Sequence, residues 1–481
     1  MHIQDENFYL ALIHKLGKQE GEEITIEDFE SMTSFQARKK DIKSIEGLQF
    51  AKNLTSLDLT GNDIEDLSPI APLNKLTYLN ASKNRIKEIG SLLALSNLER
   101  LDLSHNSLYS LDLTKLRYLT NLIELDISKS KIDTLEGVQH LTKCRILHLG
   151  IDGLILDLSL LEQMPSLKEL CLVEMWLYDI NAIKNLTKLE RLDLSTNLMN
   201  DLTPLKNMVH LKNLNLSNCP YIKNFEIIGN FKELEVLNLA YDKVDNIDFL
   251  ENCKHLKDLR IYDTPIKDIS VLKHCVEIQK IDLSNNRIKD FSPILALNQL
   301  KYFKASNCLI KDIQFLTNAN DLEVLNLHAN DIKDISQIND CYHIKLLDLG
   351  DNNIKNIEPL TKLKEMDNLC LANNSISDIS PVKDMINLGV LDLYNNIVGD
   401  LTPLKGLKNL TSLRLCHNSI IDLSPISELS YLTGLTLKAN YIIDVSPLVK
   451  CTNLYELRLD DNPIENMEVL ESMKYYENFT F

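Results

Sequence analysis

Leu54-Thr55-Ser56-Leu57-Asp58-Leu59-Thr60-Gly61-Asn62-Asp63-Ile64 is one copy of a unit that fills this chain. It reads L-x-x-L-x-L-x-x-N-x-I, and its first position falls at 54, 76, 98, 122, 144, 167, 189, 211, 234 and 256. From there it returns every 22 residues through 278, 300, 322, 344, 366, 388, 410, 432 and 454, which makes nineteen full copies. A degenerate copy precedes them (Met32, Phe35, Ala37, Ile42) and a fragment follows (Tyr476, Phe479, Phe481). Self-similarity at this period marks stacked units, none of which can bury its apolar side alone.

Within each unit the L-x-L core alternates, so Leu57 and Leu59 point one way while Ser56, Asp58 and Thr60 point the other. Parallel sheets covered on both faces read as continuous apolar runs; the polar alternates here leave one face bare. The return stretch often reads D-(I/L)-x-P-(I/L), as in Asp66-Leu67-Ser68-Pro69-Ile70. Proline fixes φ and removes a donor, which suits a turn or 3₁₀ segment rather than a second strand. The predicted fold is therefore an α/β leucine-rich-repeat solenoid. It has one long curved parallel sheet, a convex side of 3₁₀ and turn segments, and a short N-terminal helical cap. At ~4.8 Å per strand, about twenty strands give an arc on the order of 100 Å.

Asn holds the ninth position in twelve of the nineteen copies. There the chain turns into the core and leaves backbone groups without strand partners, which a buried amide can satisfy. Cys219 and Cys308 take the slot as small substitutes, and Ser130, Asp152, Met175, Asp242 and Thr264 are the other departures. Six of these seven lie between 130 and 264, so the middle of the solenoid is expected to be its least regular part.

Residues 1–31 read as the cap and 32–481 as the solenoid. Phe8 to Ile13 and Leu16 have helical spacing, and Thr25 with Asp28 opens a second short helix. Asp5 and Glu6 stand where a secretory signal would be basic, and no apolar run is long enough for a membrane span. Ten cysteines show neither metal-finger spacing nor a disulfide framework, so free thiols in a cytoplasmic protein are expected. A formal charge of −18 (51 basic against 69 acidic residues) excludes nucleic acid as a partner and is compatible with a basic protein. No membrane partner is expected.

Metalloprotease, serine-hydrolase, Walker and dinucleotide motifs are absent from the sequence, so an enzyme, a metal site and a cofactor are not expected. Aspartates recurring on the bare face (Asp58, Asp102, Asp126, Asp193, Asp282, Asp348, Asp392) read as solvated charges. The face itself is the candidate, because exposed aromatics interleaved with Arg are the composition of binding hot spots. Its expected protein-binding residues are Tyr241, Arg260, Tyr262, Tyr302, Lys304, Val324, His328, Leu346, Val390, Tyr394 and Arg414. A second patch comprises Ile146, His148 and Val173 near Trp176, which is expected to pack into an outer turn. With Tyr476, Phe479 and Phe481 in its last strand positions, the chain's end reads as an uncapped edge, open to a second copy or to a partner.

Asn396-Ile397-Val398-Gly399-Asp400-Leu401-Thr402-Pro403-Leu404 and the same pattern at Asn418 to Ile426 resemble bacterial internalin-type proteins. They also resemble the related 22-residue class typified by the phosphatase regulator Sds22. Residues 24–29, 45–49 and 53–57 are similar to the internalin-type cap and first repeat. The resemblance covers nearly the whole chain. It implies a non-enzymatic scaffold that binds a folded protein on its concave face. The alternatives are an exported internalin-like adhesin and an Sds22-like regulator of a phosphatase.

Overall fold

Each repeat contributes a three-residue strand whose central leucine is driven inward. Leu57, Leu79 and Leu391 are fully buried, and burying such a side chain is worth roughly 1.5–3 kcal/mol. The structure, a computed structural model, describes residues 2–106, 113–130, 134–150, 157–473 and 479–480. Asp152, Tyr476 and Phe481 lie outside the described residues.

The chain forms two compact units, Met1–Lys243 and Val244–Phe481. The first holds β1 (Ser34–Gln36), β2 (Ser56–Asp58), β3 (Tyr78–Asn80), β4 (Arg100–Asp102) and β5 (Glu124–Asp126). It continues with β6 (Ile146–His148), β7 (Glu169–Cys171), β8 (Arg191–Asp193), β9 (Asn213–Asn215) and β10 (Val236–Asn238). All pair in parallel in chain order, with repeat-equivalent residues in register, as Leu57 with Leu79. The second unit holds β11 (Asp258–Arg260), β12 (Lys280–Asp282), β13 (Tyr302–Lys304), β14 (Val324–Asn326) and β15 (Leu346–Asp348). After them come β16 (Asn368–Cys370), β17 (Val390–Asp392), β18 (Ser412–Arg414), β19 (Gly434–Thr436), β20 (Glu456–Arg458) and β21 (Phe479–Thr480), paired in the same way.

The return stretches are 3₁₀ turns such as Ser68–Ile70, Ser292–Ala296 and Thr402–Leu404, with proline in the first turn. The preceding Asp starts each one. Asp66 Oδ1 accepts from the Ser68 N–H at 2.7 Å, and Asp400 Oδ1 from the Thr402 N–H at 2.8 Å. The D-(I/L)-x-P pattern is thus a side-chain-capped turn.

Two helices precede β1: α1 (Glu6–Leu16) and α2 (Ile26–Ser31). Asp5 Oδ1 caps α1 at the Phe8 N–H, while its Oδ2 accepts from the backbone of Lys43 and Ser44 at 2.7 and 2.9 Å. One carboxylate therefore fastens the helix to the repeats. Thr25 and Asp28 form the reciprocal capping box of α2. Phe8 meets Phe35 edge to face at 5.9 Å.

The Asn column works as a ladder. Asn330 Nδ2 donates to Ala305 O and Leu327 O (2.9 Å each), and its Oδ1 accepts from the N–H of Cys308 (3.0 Å) and Ile310 (2.9 Å). Each amide therefore ties its own turn to the previous one. The departures keep fragments of this. Cys308 Sγ donates to Leu283 O at 3.2 Å and Thr264 Oγ1 to Ile261 O at 3.0 Å. Asp242 keeps the acceptor role, taking the Cys219 N–H at 2.7 Å; its Oδ2 is buried with no partner among the described residues. Burial pushes this carboxyl up to about 8.

One column was not foreseen from the sequence. The residue before the Asn slot is left-handed in every repeat where it is described, including Gly61, Asn285, Asp351, Asn395 and His417 (φ 52–73°). It turns the chain inward so that the Asn can enter the core. Gly, Asn, Asp and His tolerate this conformation, whereas Ala329 (φ 54°) and Ala439 (φ 55°) are strained there.

Two predictions follow from these columns. Ala329→Gly and Ala439→Gly should each stabilise the protein by about 0.5–1 kcal/mol, seen as a higher urea midpoint, because glycine removes that strain. Asp242→Asn should supply the two-donor amide of the column without the cost of holding a carboxyl protonated in the core, and should stabilise by about 1–3 kcal/mol at neutral pH. The wild-type carboxyl is protonated when folded and ionised when unfolded between its ordinary value of 3.8 and about 8. Wild-type stability must fall across that window, so the variant's advantage should widen from pH 4 to 8.

Candidate protein-binding face

On the open sheet face, positions three, five and seven of each repeat project outward. The fifth position is less available than solvated charges would be. Asp102 Oδ1 accepts from the Ser104 N–H at 3.0 Å and hydroxyl at 2.7 Å, and Asp193 does the same with Ser195 at 2.9 and 2.6 Å. Asp282, Asp348 and Asp392 cap the N–H two residues on in the same way. This corrects the sequence reading: the recurrent aspartates hold the strand's exit, and the D-x-S pattern was the available signal. Asp58 is fully buried. Burial alone would raise its carboxyl, but hydrogen bonds from Arg38 and Thr60 hold it below the usual range.

In the first unit the Ile146–His148–Val173 patch centres on an ion-pair chain. His148 Nδ1 lies 3.2 Å from Asp126 and Nε2 lies 3.1 Å from Glu169; Glu169 in turn holds Arg191 at 2.9 Å. The hydrogen bond to Asp126, helped by Glu169, lifts the imidazole to about 9. Cys171 is the register partner of His148. Burial and the Asp193 charge push its thiol up to about 12, away from the reactive thiolate, while both histidine nitrogens already face carboxylates. Ile146 and Val173 are half-buried, and Tyr241 stands exposed at a left-handed position. Trp176, expected in a packed turn, is instead 60% exposed.

In the second unit the register sets Tyr302, Val324 and Leu346 side by side across β13, β14 and β15. Asn368 separates them from Val390. Leu346 is 40% exposed and the other two half-buried. Lys304 Nζ lies over the Tyr302 ring at 5.1 Å. Arg260 forks onto Asp258 of its own strand at 3.2 and 3.0 Å. A half-open hollow of about 420 Å³ lies among Asp258, Arg260, Tyr262, Lys280, Asp282 and Tyr302. Further along, His328 sits between Asp348 (3.5 Å) and Asp351 (3.1 Å). Tyr394 meets His417 edge-on at 5.3 Å, and Arg414 pairs with Asp392 at 3.3 Å.

Among the described residues no group of three or more His, Cys, Asp or Glu could hold a metal ion. No helix there is long and apolar enough to cross a membrane.

A strand-and-3₁₀ repeat with an asparagine ladder and an open sheet face defines a leucine-rich-repeat fold. The sequence matches the family described as Leucine Rich repeats (2 copies) over residues 364–406 and Leucine Rich Repeat over 97–119. No curated protein sequence matches the chain. Among solved structures its fold is similar to the functional domain of InlJ from Listeria monocytogenes, which includes a cysteine ladder. Identity is 20% and the TM-score 0.52, over 79% of this chain and 76% of that one. The fold is also similar to the Arabidopsis receptor kinase HAESA in complex with the peptide hormone IDA and the co-receptor SERK1 (18%, TM-score 0.61, 90% and 79% covered). A third is the plant peptide hormone receptor RGFR1 in complex with RGF2 (18%, TM-score 0.53, 89% of each chain). The likeness to all three is one of fold, that of a leucine-rich-repeat solenoid.

His148 makes a prediction of its own. Its folded value of about 9 lies above the ordinary 6.5. Its stabilisation is therefore complete below pH 6.5 and is lost as pH rises through 9. His148→Gln should flatten the fall in urea midpoint between pH 6 and 9.5 relative to the wild type. Parallel curves would refute the ion-pair chain.

Proposed function

We propose that this protein is a non-enzymatic interaction module that binds a protein partner on the open sheet face of its second unit. The observation that carries the reading is the contiguous Tyr302–Val324–Leu346 row beside the Arg260–Tyr262 hollow. A rigid sheet loses little conformational entropy on binding, so apolar and aromatic groups held there convert efficiently into affinity. Arg414, Tyr394 and Val390 extend the surface. The His148 patch and Tyr241 are secondary contacts on the first unit. Ten free thiols support an intracellular setting. An exported adhesin is the competing setting suggested by the likeness to InlJ. Recognition of an extended segment rather than a folded surface is favoured by HAESA and RGFR1, each solved with a peptide hormone or its like-named ligand.

The test is affinity capture from the native source with Tyr302→Asp/Leu346→Asp as control, followed by reconstitution with the purified partner. Two charges in the desolvated centre should weaken binding at least about a hundredfold, since hot-spot losses reach ~2 kcal/mol or more each. A partner retained equally by both proteins would remove the site from this face.

A further inference from the structure

The second unit's face is electrically divided, and the division identifies the kind of segment that fits it. Over β11 to β13 the exposed and half-exposed positions of the face and its two margins (two, three, five, seven and eight) carry Lys257, Arg260, Lys280, Lys301 and Lys304 against Asp258, Asp263 and Asp282, a balance of five minus three. Over β14 to β17 the same positions carry Glu323, Asp348, Asp351, Asp367 and Asp392 against Lys345, a balance of one minus five. Of these, Glu323 is bridged by Lys301 and Lys345 at 3.9 and 3.6 Å and Asp392 by Arg414 at 3.3 Å, which leaves Asp351 and Asp367 as the available carboxylates. The cationic end is opposite in sign to the chain's net charge of −18. Its carboxylates are already engaged: Asp258 by the Arg260 fork and Asp282 by the Ser284 N–H. Lys280 is exposed and makes no ion pair among the described residues, and Lys304 is held over the Tyr302 ring beside the hollow. At the other end Asp367 is exposed and, among the described residues, caps nothing, and there the Asp351 carboxylate is paired with His328 alone. The Tyr302–Val324–Leu346 row runs between the two ends.

Resting on the function proposed above, we infer that the face receives an extended protein segment with three parts in order. An acidic end lies over β11 to β13, apolar side chains lie along the central row, and a basic end lies over β15 to β17. The dimensions agree. Six strand intervals at ~4.8 Å make about 29 Å, the length of roughly nine extended residues at ~3.3 Å each. Opposite charges at the two ends fix the direction of the segment, and a reversed or mixed segment meets like charge at both.

The experiment uses the full chain and fluorescein-labelled nonapeptides read by anisotropy at 50 and 150 mM salt. The ordered peptide is EDELFLKRK, and its control, EKLDFRLEK, has the same composition with the charges mixed. The ordered peptide should bind at least about tenfold tighter, and its advantage should shrink at the higher salt. Lys280→Glu/Lys304→Glu and Asp351→Lys/Asp367→Lys should each erase that advantage while leaving the circular dichroism unchanged. All four positions are exposed or half-exposed, and Lys83 and Lys129 already occupy the left-handed position equivalent to Asp351. Equal binding of the two peptides, or no binding of the ordered one, would overturn the inference. Neither result touches the broader reading, which fails only if a captured partner ignores Tyr302→Asp/Leu346→Asp.

Discussion

The buried asparagine amide is the interaction on which the rest of this structure depends. A three-residue strand must give up its ladder immediately, and the chain then turns inward with polar backbone groups exposed to the leucine core. Each amide supplies both donors and acceptor for those groups, as Asn62 does with Ala37 O and Leu59 O on one side and the N–H of Lys40 and Ile42 on the other. Because every amide reaches into the preceding repeat, no repeat is satisfied alone. Stacking is therefore enforced by hydrogen bonding as well as by apolar burial. Two neighbouring columns serve the same end. The left-handed residue before the slot swings the Asn inward, and the Asp or Asn of the strand caps the N–H that the swing would otherwise leave open.

That arrangement determines which positions are left for recognition. A fifth-position aspartate is committed to the backbone beside it, so altering it disturbs the fold before it alters a contact. The third position has no such duty, and there Tyr302, Val324 and Leu346 stand where other repeats carry Ser56, Lys280 or Asn368. The face thus separates a constant framework from variable content. The Tyr302–Val324–Leu346 row stands where the framework makes no demand, and Arg260, Lys304 and Arg414 take the fifth position in repeats that do without its capping carboxylate.

The period and alternation made the strands, their register and the 3₁₀ turns legible, because each is a short-range consequence of residue type. The capping box at Thr25 and Asp28 was legible for the same reason. The left-handed column is rich in Asn, Asp, Gly and His from Asn218 onward, yet Tyr241, Ala329 and Ala439 interrupt it there and Lys83, Lys129, Glu174 and Thr196 hold it earlier, so residue type alone does not mark it. The aspartate caps were missed because an acidic residue on a bare strand looks solvated until its distance to the next N–H is known. His148 could be placed on the face but not assigned a charge. That charge comes from Asp126 and Glu169, which the sequence keeps 22 and 21 residues away.

The net charge misled in an instructive way. A chain at −18 suggests a basic partner, and at long range and low salt that field does favour one. At physiological ionic strength, however, screening acts over about 8 Å. The charged ends of the second unit's face span about 29 Å of sheet by strand spacing. A segment lying on the face therefore meets two separate fields rather than one sum. Near Lys280 and Lys304 the local sign is positive whatever the rest of the chain carries, and a wholly basic segment is repelled there. Total charge can influence how often a partner arrives, but the order of charges along the strands decides what stays bound.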